Sequence, residues 1–112
     1  MTDCLFCKMV AGEINPDIVF EDEKILAFRD INPQAPVHIL IIPKRHLSTL
    51  NDLDDAHLGG QILTTAVTLA QQEGMSEDGY RTVFNCNSNG GQAVYHLHLH
   101  LLGGRPMAWP PG

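Results

Sequence analysis

Basic residues are scarce in this chain. Its 112 residues include seven lysines and arginines against thirteen aspartates and glutamates, which gives a formal net charge of −6. Proteins that bind a nucleic-acid backbone need a basic face, so we expect no nucleic-acid partner. The deficit does not exclude one small phosphate compound held by a few local donors.

Long apolar runs are absent as well. No run approaches the roughly 18 residues of a membrane span. The first residues, Met1 to Cys4, lack the charged and apolar regions of a signal peptide. We therefore expect a cytoplasmic protein with no membrane partner.

The chain has few cysteines, and their number is odd. Three cysteines in a reducing compartment do not make a disulfide framework. Cys4 and Cys7 instead form a C-x-x-C pair that, with His46 and a fourth ligand from His96, would suit tetrahedral Zn²⁺. The alternative is a pair of ordinary cysteines at the start of a helix.

The length and the hydrophobic content of 44% indicate one small domain with a modest core. Local patterns predict a short helix at 5–11 and a long helix at about 55–72. They also predict five strands, at 18–21, 25–29, 37–42, 80–86 and 94–102. Together these elements favour an α+β domain with a mostly antiparallel five-stranded sheet and one long and one short helix.

The last predicted strand carries half of the six histidines. His96, His98 and His100 alternate with leucines, so on a strand all three imidazoles share one face. Successive members of such a row are roughly 6.5–7 Å apart, so one ion could take two neighbours but not easily all three. The alternatives are a functional row centred on His98 or a polar strand face exposed to solvent.

A glycine-rich loop directly precedes this row. Asn85 and the segment Gly90-Gly91-Gln92-Ala93 could present free backbone N–H groups to an anion. A plain hairpin loop is the alternative reading.

Two further residues lie near the predicted third strand. His38 opens this strand and could serve either as a proton partner or as a hydrogen-bonded structural histidine. Asp30 follows the second strand, where a carboxylate could accept hydrogen bonds from a ribose cis-diol or simply form a turn. His57, near the start of the long helix, is expected to face solvent.

The segment from His96 to Leu102 resembles the His-φ-His-φ-His-φ-φ signature of the histidine triad (HIT) family. Segments 20–22, 27–31, 33–36, 42–46, 90–92 and 109–112 resemble its Hint branch. The resemblance implies a homodimer whose sheets join into one. It also implies hydrolysis of purine nucleoside phosphoramidates, such as AMP linked through nitrogen to an amine. His98 would attack the α-phosphorus, and water would release AMP or GMP from a nucleotidyl-histidine.

The resemblance also implies roles for other residues. His96 and His100 would orient His98 and move protons, and Gly91, Gln92, Ala93 and Asn85 would hold phosphate oxygens. Asp30 would bind the ribose, and the tail at 103–112 around Trp109 would dock at the partner's active site. Residues that would line the base pocket are Phe6, Met9, Ile14, Phe28 and Ile31. Zinc-carrying members imply a structural ion on Cys4, Cys7, His46 and His96, and no organic cofactor is expected.

Two positions depart from the Hint pattern. Ala93 stands where these enzymes commonly carry a serine, so a side-chain donor is lost. Ala108 stands where a relative has histidine, which would alter the choice of leaving group. Ala93 keeps open a second hypothesis, a catalytically weak nucleotide-binding protein that regulates through its partners.

Overall fold

The computed structural model describes residues 3–112; Met1 and Thr2, which contributed to the expectation about a signal peptide, lie outside the described residues. The helices are α1 (Leu5–Val10), α2 (Ala56–Gln72) and α3 (Asn87–Gly90), with a 3₁₀ turn at Leu50–Asp52. The strands are β1 (Ile18–Glu21), β2 (Ile25–Arg29), β3 (Val37–Pro43), β4 (Tyr80–Phe84) and β5 (Leu99–Gly103). They form one antiparallel sheet in the order β1-β2-β3-β5-β4, which confirms the predicted fold class.

The long helix α2 begins and ends where the sequence predicts. The Asp55 carboxylate accepts hydrogen bonds from the backbone N–H groups of His57 and Leu58, which would otherwise lack partners at a helix start. Gly74, with φ of +74°, follows the last turn. The buried residues of the helix recur at helical spacing and pack on the sheet: Leu58, Ile62, Ala66, Leu69 and Ala70. Burying each leucine or isoleucine contributes roughly 1.5–3 kcal/mol.

The two faces of the sheet have different cores. Leu97, Leu99 and Leu101 join the cluster beneath α2, while the opposite face is covered by α1 through Phe6. Because neighbouring side chains of an extended segment alternate, His96, His98 and His100 lie on the α1 side. The alternation read from the sequence thus decides which face carries the histidines.

The histidine segment is only partly a strand, and the prediction of a strand at 94–102 was wrong at its start. Ladder pairing to β4 stops at the Phe84–Leu99 pair, since β4 itself ends two residues earlier than predicted. Beyond that pair, the N–H of Leu97 donates to the carbonyl oxygen of Leu47 at 2.6 Å, in the loop after β3. His96 and His98 therefore lie on an extended connection held by loop contacts, and only His100 lies on β5.

The predicted loop at 87–91 also differs, because residues 87–90 form the short helix α3. Gly91, with φ of +76°, ends it in the left-handed conformation that glycine adopts readily. Within residues 3–112, no helix is both long and apolar enough to cross a membrane.

Candidate active site and metal centre

The His98 ring has a fixed proton position. His98 is 8% exposed, and its Nδ1 lies 2.7 Å from the carbonyl oxygen of His96. A carbonyl can only accept, so Nδ1 must carry the proton and, in the neutral ring, Nε2 carries the lone pair. Breaking this hydrogen bond would leave a buried carbonyl unpaired, at a cost of about 1–3 kcal/mol. Burial also lowers the pKa of His98, which favours the neutral, nucleophilic ring.

His100 has the complementary proton position, set by a chain of two hydrogen bonds. The backbone N–H of Gln34 donates to His38 Nδ1 at 3.0 Å, so the proton of the neutral His38 ring is on Nε2. His38 Nε2 then donates to His100 Nδ1 at 2.9 Å, which places the His100 proton on Nε2. A base and a donor thus sit on neighbouring rings, because the His98 and His100 centroids are 4.9 Å apart.

Burial keeps this chain uncharged. It lowers the pKa of His100 to about 4, with the His98 and His38 rings adding to the effect. Burial likewise lowers the pKa of His38, against the opposing attraction of Asp30. The Asp30 Oδ2 atom lies 3.5 Å from His38 Nε2, and its Oδ1 accepts the backbone N–H of Asn32 at 2.8 Å. His38 is a hydrogen-bonded histidine, joined to both Gln34 and His100, and its role as a proton partner stays a prediction.

The group Asp30, His38 and His100 could by proximity hold a metal ion. The direction of the hydrogen bonds argues against it. His38 Nδ1 already uses its lone pair to accept the Gln34 N–H, so coordination through Nε2 would require an anionic imidazole ring. We interpret these residues as a hydrogen-bond chain.

The predicted metal ligands do come together. The ligand atoms of Cys4, Cys7, His46 and His96 all lie within 4.8 Å of one another. His96 Nδ1 is 3.3 Å from Cys4 Sγ and 3.5 Å from Cys7 Sγ, and His46 Nδ1 is 3.2 Å from His96 Nδ1 and 3.3 Å from Cys7 Sγ. With ordinary Zn–S and Zn–N bond lengths, a tetrahedral ion separates its ligands by about 3.5 Å (S to N) and about 3.3 Å (N to N). Two thiols and two imidazoles at these separations fit a zinc ion.

The His96 ring lies against Cys4, Cys7 and His46. The residue is 0% exposed, and its Nε2 donates to the carbonyl oxygen of Pro43 at 2.8 Å. That bond leaves the Nδ1 lone pair facing the cluster, the arrangement that metal-binding histidines usually show. The only hydrogen bond between His96 and His98 uses the backbone carbonyl of His96, so the expectation that its imidazole orients His98 is replaced by a role for its main chain.

The predicted anion loop is differently arranged. Gly91 N–H donates to the carbonyl oxygen of Ser88 and Gln92 N–H to that of Asn87, so the prediction that these groups are free for an anion was wrong for this structure. The buried Gln92 amide is also engaged, since its Nε2 donates to Ser48 and Val94 carbonyl oxygens and its Oε1 accepts the Asn87 N–H. Ala93 is exposed and Asn85 half-buried, beside this rigid support.

The predicted base-pocket residues divide into two groups. Phe6 and Phe28 are buried in the core beneath α1, with their rings 5.4 Å apart in an edge-to-face arrangement. Met9 and Ile14 are half-buried, whereas Ile31 is 98% exposed next to Asp30. Only the second group presents apolar surface that a planar ligand could cover.

The C-terminal tail is anchored at two arginines. Arg105 Nη2 donates to the carbonyl oxygen of Gln34 at 2.9 Å, and Arg81 Nη2 donates to that of Ala108 at 2.9 Å. Trp109 is 82% exposed in the single chain, so its docking on a partner stays a prediction. A cleft of about 510 Å³ lined by Val37, Met75 and Arg105 lies at the far end of β3 and β5, away from His98.

Sequence reasoning missed the main-chain partners of the histidines, namely Gln34 N–H, Pro43 O and the role of His96 O. Backbone groups carry no residue-type signal, and the contact of Pro43 with His96 also joins segments far apart in sequence. The prolines around Gln34 were the only hint that this loop has a fixed shape.

Comparisons with known proteins identify the family of this chain. The model of the HIT domain family matches residues 11–107. The purine nucleoside phosphoramidase of Escherichia coli (strain K12) is 51% identical over 107 residues, which cover 94% of this chain and 90% of that protein. The 14 kDa zinc-binding protein of Zea mays is 54% identical over 112 residues, covering 96% and 87%. The crystal structure of a HIT family hydrolase from Legionella pneumophila Philadelphia 1 has a TM-score of 0.95 and 64% identity, covering 98% of this chain and 100% of that one. The chain belongs to the HIT family.

Proposed function

We propose that this protein is a hydrolase of purine nucleoside phosphoramidates that acts through a nucleotidyl-histidine on His98. The observation that carries the proposal is the 2.7 Å contact of His98 Nδ1 with the His96 carbonyl oxygen, because it leaves the lone pair on Nε2. The phosphoramidase of Escherichia coli, at 51% identity, supports the substrate class.

The proposed reaction has two displacements. His98 Nε2 attacks the α-phosphorus, a bond from phosphorus to the ring forms, and the bond from phosphorus to the leaving nitrogen breaks. Water then attacks the same phosphorus, releasing AMP or GMP and the free ring; over both steps the leaving nitrogen gains the hydrogen that water supplies. The His100 Nε2–H, held by His38, would donate to a phosphoryl oxygen, where charge changes in the transition state.

Substrate binding would use the residues around Asp30. One of its carboxylate oxygens lies 3.5 Å from a histidine nitrogen rather than in a close hydrogen bond, and could turn to a ribose hydroxyl. The exposed side chain of Ile31 and the half-buried side chains of Met9 and Ile14 would contact the purine base, as the resemblance implies. Asn85 and the Ala93 backbone would face the phosphate, as the resemblance implies.

The cluster of Cys4, Cys7, His46 and His96 would hold a structural Zn²⁺ ion. All four positions of a tetrahedral ion would then be filled by protein atoms, which leaves none for substrate. The Zea mays relative is named a zinc-binding protein. Thiols that must stay reduced to bind the ion suit a reducing compartment, in keeping with the expected cytoplasmic location.

We also propose a homodimer that joins two sheets along β4. This strand is a sheet edge, and Leu63 (47% exposed) and Val67 (56%) present apolar side chains on the adjacent helix α2. Sedimentation equilibrium should give about twice the chain mass of 12.3 kDa. The pair Leu63→Glu/Val67→Glu should dissociate the dimer, while Gln72→Glu, exposed on another face of the same helix, should not. A monomeric wild-type protein at micromolar concentration would contradict the assembly.

A paired substrate assay tests the proposed function. Adenosine 5′-phosphoramidate should be hydrolysed with release of AMP, and faster than a dinucleoside polyphosphate at equal concentration. Ala93 favours the second candidate, a nucleotide-binding regulator, because its methyl side chain offers no donor. Micromolar AMP binding without turnover of either compound would favour that regulator and reject the hydrolase.

A further inference from the structure

One residue connects the metal centre to the nucleophile. The His96 ring faces the two thiols at 3.3 and 3.5 Å, and the carbonyl of the same residue accepts the His98 proton at 2.7 Å. His96 is fully buried, and its other ring nitrogen is held by the Pro43 carbonyl. A ring released from the cluster would loosen the backbone carbonyl that decides which nitrogen of His98 carries the proton.

A second contact runs through the short helix between the thiols. Phe6, two residues after Cys4 and one before Cys7, lies with its ring centroid 5.2 Å from that of His98 at an angle of 88°. It also packs 5.8 Å from the His96 ring and is only 3% exposed. Cys4 and Cys7 therefore hold both ends of the helical turn that packs the Phe6 ring against the His98 ring.

We propose that Cys4, Cys7 and His46 are positioning residues for the reaction: joined to His96 through one metal ion, they hold His98 with its Nε2 lone pair towards the substrate. They touch neither substrate nor the reacting phosphorus. The ion supplies a fixed point to which three segments of the chain attach. The catalytic part of this inference rests on the proposed function, whereas the effect on the His98 ring does not.

The variant Cys4→Ser is the sharpest test. Cys4 Sγ accepts the backbone N–H of Cys7 at 3.3 Å at the start of α1, and a serine hydroxyl can keep this cap while removing the soft ligand. We expect zinc loss and a fall in kcat of about tenfold to a hundredfold. KM and AMP affinity should stay within about twofold. The matched control is Cys86→Ser, because this third cysteine lies outside the cluster and its side chain makes no capping bond at α3.

The second readout is independent of activity. Long-range ¹H–¹⁵N spectra of the histidine rings should show the Nδ1–H form of His98 in the zinc-loaded wild type and a mixture of tautomers in Cys4→Ser. Zinc added to the chelated wild type should restore the single form. If Cys4→Ser retains zinc, the double variant Cys4→Ser/Cys7→Ser takes its place.

The control for folding is a chelator titration of the wild type that is monitored by circular dichroism. Turnover and the His98 ring signal should follow zinc occupancy while the dichroism is unchanged. A folded, zinc-free protein with wild-type kcat and an unchanged His98 spectrum would overturn the proposal. A protein with no phosphoramidate turnover but a zinc-dependent His98 ring would reject the proposed function and keep the coupling.

Discussion

Replacing His98 by asparagine should lower turnover of adenosine 5′-phosphoramidate by about 10⁴-fold or more, as expected when a nucleophile is removed. Asparagine is chosen because its side-chain NH₂ can still donate to the His96 carbonyl, the contact that His98 Nδ1 makes at 2.7 Å. The fold and AMP binding should therefore persist while the attacking lone pair is lost. Initial rates of AMP release, with calorimetric AMP binding beside them, measure the effect.

The matched control is His57→Asn. His57 is exposed on the first turn of α2, so its replacement should leave the rate unchanged. The wild type, quenched in acid-free denaturant during turnover, should carry a mass increment of one nucleotidyl group, and the His98 variant should not. Retention of more than a few per cent of the wild-type rate by His98→Asn would reject His98 as the nucleophile.

Removing the metal should produce the largest change in stability. We expect about one zinc per chain by elemental analysis. Free zinc at 100 to 1,000 times its dissociation constant stabilises the folded state by about 2.7–4.1 kcal/mol. In a domain of this size that corresponds to a decrease in Tm of roughly 10–20 °C when a chelator removes the ion.

The control for this effect is again a cysteine that the cluster does not use. The double variant Cys4→Ser/Cys7→Ser should melt at the same temperature with and without chelator, while Cys86→Ser should behave like the wild type. Zinc should restore the wild-type Tm, and magnesium, which prefers oxygen ligands, should not. If the purified protein contains no zinc and its Tm changes with neither chelator nor zinc, the proposed structural metal ion is rejected.

The periodic parts of the fold were predictable because they depend on local spacing. The long helix predicted at about 55–72 and the strands predicted at 18–21 and 25–29 were confirmed. The histidine strand was predicted too long, because a strand lasts only while neighbours supply a ladder, and β4 ends at Phe84. Side chains nevertheless continue to alternate between the two faces past that point, since Leu97 lies beneath α2 while His96 and His98 contact Phe6, which is why the histidine face was correct.

Which residues come together in the candidate site was easier to predict than the contacts that each of them makes. The C-x-x-C spacing, together with His46 and His96, was enough to predict the cluster of candidate metal ligands, since ligand chemistry depends on residue type. The glycine-rich loop was less predictable: two of its N–H groups donate to the Asn87 and Ser88 carbonyl oxygens of α3. Glycine and asparagine content does not favour this short helix.

What the sequence by itself determined is which side chains share a face and which chemistry they can perform. The alternation of histidine with leucine places three imidazoles on the face opposite the leucines, whatever surrounds them. Only the tertiary structure decided what each imidazole does. Pro43 and two thiols set the orientation of the His96 ring, and a backbone carbonyl sets that of His98. The orientation of His100 is set by His38, which is itself held by the backbone of Gln34. A neutral imidazole has one proton for two nitrogens, so its role depends on which nitrogen its neighbours leave as a donor and which as an acceptor. Most of those neighbours come from segments distant along the chain.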